Sequence, residues 1–150
     1  MGKTTYASLV GYFTGLIFMV GCSSTEVGLR PEGLAPCPDS PNCVSSQAED
    51  EAHRIEPLAY QGSREAAREK IKNLIAGMAR ATIVTDREDY IHVEFRSRLF
   101  RFVDDVEFWL PEETHLIHLR SASRVGYSDM GVNRKRVDRI RVLFGETSGE

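Results

Sequence analysis

A chain of 150 residues, 41% apolar and 27% charged, has the balance of one ordinary globular domain and sets aside the compositionally extreme classes. Its formal net charge of −3 hides an asymmetry: Glu49, Asp50 and Glu51 are acidic, while residues 134–141 carry five cations. Whole-chain charge therefore names no partner, and local charge has to be read instead.

Residues 1–6 hold one cation, Lys3, besides the amino terminus, and residues 7–20 form an uncharged, largely apolar run. The run falls short of the ~20 residues a membrane-spanning helix needs but suits the core of a signal peptide. It ends in Met19-Val20-Gly21-Cys22. This resembles the bacterial lipobox, in which a small residue precedes a cysteine that is acylated and becomes the new N-terminus; Met19 stands where leucine is usual. The alternative is an uncleaved N-terminal anchor. Myristoylation at Gly2 is rejected because Tyr6 stands where that pattern needs Ser or Thr. Several acyl chains such as palmitate on Cys22 would hold the chain firmly, since one chain alone binds marginally. Ser23 after the cysteine resembles the outer-membrane sorting pattern of Gram-negative lipoproteins. The expected layout is a signal peptide over residues 1–21, a lipidated tether over 22–33 and one domain over 34–146. The expected location is the outer membrane, facing the periplasm.

With Cys22 taken by lipid, Cys37 and Cys43 are left as an even pair in an oxidising compartment, which predicts a disulfide. Pro36, Pro38 and Pro41 around them forbid a helix and make a rigid loop. Zinc is the rival reading. It needs two further ligands, and the histidines, His53, His92, His115 and His118, are scattered with no Cys-x-x-Cys pair. No metal and no cofactor are expected, and a nucleophilic Cys43 has no dedicated base nearby in sequence.

Residues 47–60 read as a polar connector containing Pro57. From Ser63 the apolar period becomes helical: Ala67, Ile71, Leu74, Ile75 and Met78 share a face, Ser63 suits the N-cap and Glu65 the first turn. Gly77 lies near the end. The period then becomes two. Residues 81–85 are β-branched, 86–89 form a polar turn, and 90–96 alternate strictly, with Ile91, Val93 and Phe95 on one side. Residues 100–110 make the next strand, with Val106, Phe108 and Leu110 inward and Glu107 and Trp109 outward. A turn at 111–114 leads to a strand over 115–123. Residues 130–144 close as a helix with Asn133, Val137, Ile140 and Phe144 on one face. The predicted fold is α+β, a single domain with about four mostly antiparallel strands packed against an N-terminal and a C-terminal helix.

Three stretches carry a family resemblance: Cys37-Pro38-x-Ser40-Pro41-Asn42-Cys43-Val44-Ser45-Ser46, then Phe95-Arg96-Ser97-x-x-Phe100-Arg101-Phe102-Val103-Asp104-Asp105, then Arg120-Ser121-Ala122-Ser123-Arg124-x-Gly126-Tyr127-Ser128-Asp129-x-Gly131-x-Asn133-Arg134-x-Arg136. They resemble the signature blocks of the domain of unknown function 1499 family, over roughly residues 34–144. The resemblance implies an exported or lipid-anchored bacterial protein and brings no established activity.

The charged residues of these blocks admit three readings. In the first, Glu94, Arg96, Asp104, Asp105, Asp129 and Arg136 form a structural network with Arg120, Arg124 and Arg134, and Asp129 or Ser128 caps the last helix. In the second, Arg120, Ser121, Ser123, Arg124, Ser128, Asn133 and Arg134 gather around the N-terminus of that helix to bind an anion. The ligand would be a small anionic molecule or an envelope polymer. In the third the protein is an enzyme, but Asp104 and Asp105 point to opposite faces of a strand and cannot form a dyad, and no nucleophile elbow is present. The basic run over residues 134–141 has the charge of a nucleic-acid contact, a partner that export argues against. The sequence reading favours a lipid-anchored envelope protein that binds an anionic ligand or envelope component, with a structural or partner-docking module as the alternative.

Overall fold

In a computed structural model of the chain, residues 26–146 are described. The expected signal peptide and the expected lipidation residue Cys22 lie outside the described residues. Among the described residues, no helix is long and apolar enough to cross a membrane.

The elements follow in the order β1 (Leu29–Arg30), β2 (Gly33–Leu34), β3 (Cys43–Ser45), β4 (Leu58–Ala59), α1 (Arg64–Ala76), β5 (Ala81–Asp86), β6 (Tyr90–Arg96), β7 (Val103–Trp109), β8 (Leu116–Ser123) and α2 (Val132–Glu146). Helix α1 starts where Ser63, in extended conformation, accepts the Ala66 N–H on its hydroxyl, and Gly77 closes its last turn. Its apolar stripe buries Ala67, Ile71 and Ile75.

The main sheet has the order β3-β8-β7-β6-β5, with β4 also pairing β8, and every pairing is antiparallel. This corrects the expected count from four strands to six. The two additions are short strands from segments read as loop and connector. They share one edge of β8, β3 against Arg120, Ser121 and Ala122, and β4 against Leu116 and Ile117. The pair covers an edge that would otherwise expose unpaired backbone groups. The first helix is accordingly not the first element of the domain. A separate ribbon, β1–β2, runs from the segment read as tether to Leu34, the first residue of the expected domain.

One face of the sheet packs on both helices. Val93, Val106, Phe108 and Leu119 meet Ile71 from α1 and Ile140 from α2, all fully buried. The opposite face was expected to meet solvent and does not. Glu107 is fully buried, as are Asp105 and Arg120, because the ribbon and the chain up to Cys37 lie over it. The Gly28 N–H donates to Glu107 Oε1 at 2.8 Å, and Arg120 donates to the Pro36 carbonyl.

Alternating strand directions give the sheet two unlike ends. Residues 97–102 and 124–131 leave from one end, where Arg96 pairs with Val103 and Asp104 with Ser123. Residues 87–89 and 110–115 turn at the other, where Tyr90 pairs with Trp109 and Trp109 with His118.

Candidate functional site

Strand β8 distributes the third block. Alternation sends Leu119, Ser121 and Ser123 to the helix face and His118, Arg120 and Ala122 to the face beneath the ribbon. Pairing fixes their neighbours: Asp104 opposite Ser123, Val106 opposite Ser121, Glu107 opposite Arg120.

Beneath the ribbon lie two charged clusters. In the first, Glu107 takes three donors: Tyr90 Oη at 2.6 Å, the Gly28 N–H, and Arg120 Nη1 at 2.8 Å. An ion pair buried this completely survives only if its remaining hydrogen-bonding groups are also matched. Here all but one are, Arg120 Nε being without a partner among the described residues. Burial pushes the Tyr90 hydroxyl well above its ordinary range, and the Glu107 carboxylate beside it pushes the same way. Tyr90 is therefore a donor at any physiological pH.

In the second cluster, Asp105 accepts from His92 Nε2 at 2.7 Å and from Arg124 Nε and Nη2, both at 2.7 Å. Arg124 also reaches Glu94, which Arg96 meets from the other side. Burial would raise the Asp105 carboxyl, but the His92 and Arg124 hydrogen bonds outweigh it and hold it below the usual range. Glu94 is held low first by its hydrogen bond from Arg124, against a smaller opposing effect of burial. The same carboxylates hold Arg124 firmly protonated, Asp105 foremost.

The helix face carries a separate polar knot. Asn133, buried at the first turn of α2, donates from Nδ2 to the Asn42 carbonyl and to Ser123 Oγ, both at 3.0 Å, and accepts from Ser121 Oγ and Arg136. Arg136 continues to Asp104 and lies over the Phe95 ring, 4.8 Å from its centroid. Asn42 Nδ2 reaches the Gly126 carbonyl at 2.6 Å. One asparagine thus ties the disulfide loop, β8 and α2 together, and residues of all three blocks meet here. The Cys37–Cys43 disulfide closes that loop across a Cα separation of 5.6 Å.

At the start of α2 the Asp129 carboxylate accepts the Gly131 and Asn133 N–H groups at 2.9 and 2.7 Å, and Ser128 Oγ accepts the Met130 N–H. Arg134 donates to the Arg54 and Ala52 carbonyls, and Arg141 to those of Pro57 and Glu56. The basic face of α2 therefore stitches the connector to the helix.

The seven residues expected around one anion are not brought together. Arg120 and Arg124 lie on the ribbon face, Ser121, Ser123 and Asn133 on the helix face, Ser128 at the turn, and Arg134 over the connector. A sheet separates side chains at adjacent strand positions, and each guanidinium already donates within the chain. The charged network is likewise two networks. Glu94, Arg96 and Asp105 join Arg124 on one face, Asp104 and Arg136 pair on the other, and Asp129 serves the helix start. Sequence reading missed Glu107 as the partner of Arg120, Tyr90 and His92 as partners of Glu107 and Asp105, and Asn42 as a partner of Asn133. Their strand parity was visible, but nothing in the sequence announced that a ribbon covers that face.

Chemically reactive pairs are sparse. Ser46 Oγ lies 3.2 Å from His118 Nδ1 and also accepts the Leu119 N–H, while Trp109 stacks on the imidazole at 5.3 Å. Among the described residues no carboxylate bonds His118, so the third member of a triad is missing. Burial lowers the His118 pKa. No group of three His, Cys, Asp or Glu side chains among the described residues is placed to hold a metal ion. A groove of about 660 Å³ between the helices is lined by Leu74, Met78, Lys70, Arg139 and Leu143. Another of about 500 Å³ at Arg134 mixes Arg54 and Arg141 with Glu51, Glu56 and Asp138, an arrangement with no preference for anions.

A family model described as Protein of unknown function (DUF1499) matches residues 33–144. No curated protein and no solved structure matches the chain.

Proposed function

The chain belongs to the DUF1499 family, and from that premise we propose that it is a lipid-anchored docking domain of the cell envelope. It would be held at Cys22 on the periplasmic side of the outer membrane and act through its surfaces rather than through a catalytic centre. The observation that carries this reading is the internal engagement of the third block: Arg120, Arg124, Arg134 and Arg136 each donate to this chain's own carboxylates or carbonyls. A guanidinium already matched by a carboxylate has little to offer a free anion, because binding would first have to break a charge-assisted bond. These residues brace the fold, and the anion-site reading loses its geometric support.

The test is a thermal-shift titration of the full chain with inorganic phosphate and citrate, beside Arg134→Ala. The brace reading expects a lower midpoint for the variant and no saturable shift for either protein. A saturable shift in the wild type that disappears in Arg134→Ala would restore the anion site. For the anchor, Cys22→Ser should move the protein from the membrane fraction washed in high salt to the soluble one; retention would refute lipidation.

A further inference from the structure

The sheet end formed by residues 97–102 and 124–131 presents apolar side chains to solvent. Phe100 is 72% exposed, Leu99 79%, Tyr127 75% and Met130 90%. Single exposed apolar residues need no explanation, but a group of them at one pole of a domain does. Phe100 and Phe102 stack with centroids 5.6 Å apart, and the Arg124 N–H bonds the Val103 carbonyl, so the loop that carries them and the loop of Tyr127 and Met130 leave the sheet side by side. Arg101, between the two phenylalanines, has φ of 54° and Met130 has φ of 55°, a left-handed backbone unfavourable for side chains of this size.

Charge separates the two ends of the sheet. Residues 96–102 hold Arg96, Arg98 and Arg101 and no carboxylate, and Arg98 and Arg101 have no ion-pair partner among the described residues. The nearby Asp129 is occupied by the start of α2. The opposite end carries Glu112 and Glu113 without an ion-pair partner among the described residues, besides Glu88 and Asp89, which pair with Arg64 and Arg87.

We propose that residues 97–102 and 125–130 dock into the headgroup layer of an anionic bilayer. Leu99, Phe100, Phe102, Tyr127 and Met130 would enter the boundary with the acyl chains, while Arg98 and Arg101 meet lipid phosphates. Basic and aromatic side chains on one surface suit an interface that is anionic outside and apolar within, and the acidic end sets the orientation by repulsion. The proposal rests on the lipid-anchor reading for proximity. Five residues lie between Cys22 and Gly28, and the six Cα steps span at most about 20 Å. Gly28 sits at the level of Glu107, about 13 Å of strand from the start of β7 at the docking end. The tether therefore permits docking without stretching.

The experiment uses the full lipidated chain reconstituted in vesicles, with Trp109→Phe as background and a single reporter, Phe100→Trp or Glu113→Trp. Lipids brominated on their acyl chains serve as quenchers. Docking predicts severalfold stronger quenching at Phe100→Trp than at Glu113→Trp in phosphatidylglycerol-containing vesicles, reduced by salt and by Arg98→Glu with Arg101→Glu. Equal quenching of both reporters would overturn it. So would a blue shift at Phe100→Trp with no lipid quenching and with cross-links between chains, which would assign the patch to a protein contact. Flotation separates the anchor from the dock. If Cys22→Ser combined with Arg98→Glu and Arg101→Glu floats as well as wild type, the anchor reading fails, and the difference between the reporters still decides docking.

Discussion

Both faces of the sheet have a buried centre, and the two centres are held by opposite means. On the helix side, Val93, Val106, Phe108 and Leu119 lose water and gain dispersion contacts, an arrangement that tolerates some rearrangement because the forces are not directional. On the ribbon side, Tyr90, His92, Asp105, Glu107, Arg120 and Arg124 are matched donor to acceptor, and each match fails if one partner goes. A buried apolar layer is a sum of many small terms. A buried charged layer is closer to a set of conditions that must hold together.

The strongest way to break this contrast is Arg120→Met, which leaves Glu107 buried without its cation. Unfolding in urea should show a loss of about 3–5 kcal/mol. Adding Glu107→Gln, which keeps an acceptor for Tyr90 and Gly28, should recover most of it. The apolar face should behave otherwise, with Val93→Ala deepening the loss caused by Phe108→Ala, itself about 3–5 kcal/mol. A double charge variant no more stable than Arg120→Met alone would refute the account of the ribbon face.

A smaller effect is expected at the loop bordering both faces. Replacing Cys37 and Cys43 with serine should cost about 2 kcal/mol, modest because the cystine spans a sequence separation of only 6. An unchanged midpoint would mean that the Asn42 contacts to Asn133 and Gly126 hold the loop unaided.

The smallest effect is the share of the pH dependence that belongs to the ribbon face. Asp105 and Glu94 are held below their ordinary range when folded, so on acidification the unfolded chain takes up protons first. Their contribution is present above the unfolded carboxylate value of about 4 and is lost as pH falls through the lower folded value. Arg124→Gln should flatten this acid limb, only modestly, since the Arg124 side chain is 40% exposed and water screens it. An unaltered limb in pH-resolved denaturation would leave His92 as the partner that matters to Asp105.

Much of the fold was legible because its long elements are periodic. The stripe from Ala67 to Met78 located α1, and strict alternation located β6 and β8 within a residue or two. Strands β3 and β4 were not legible: at three and two residues they are too short to show a period, and only the free edge of β8 makes them strands. Parity placed Asp104 and Asp105 on opposite faces, as found. The same parity sent Glu107 to solvent, because alternation says which side a residue faces and not whether that side is covered.

The amino-acid sequence by itself determined the helices, the long strands, their faces and the cysteine pairing, since each depends on local pattern or on counting. Tertiary structure alone decided that the ribbon seals the second face, that Arg120 and Glu107 become a buried pair, and that Ser121 and Arg124 part company. Those outcomes depend on which distant segments come to rest against the sheet. Contacts over separations such as the 91 residues from Asn42 to Asn133 leave no periodic trace in the chain.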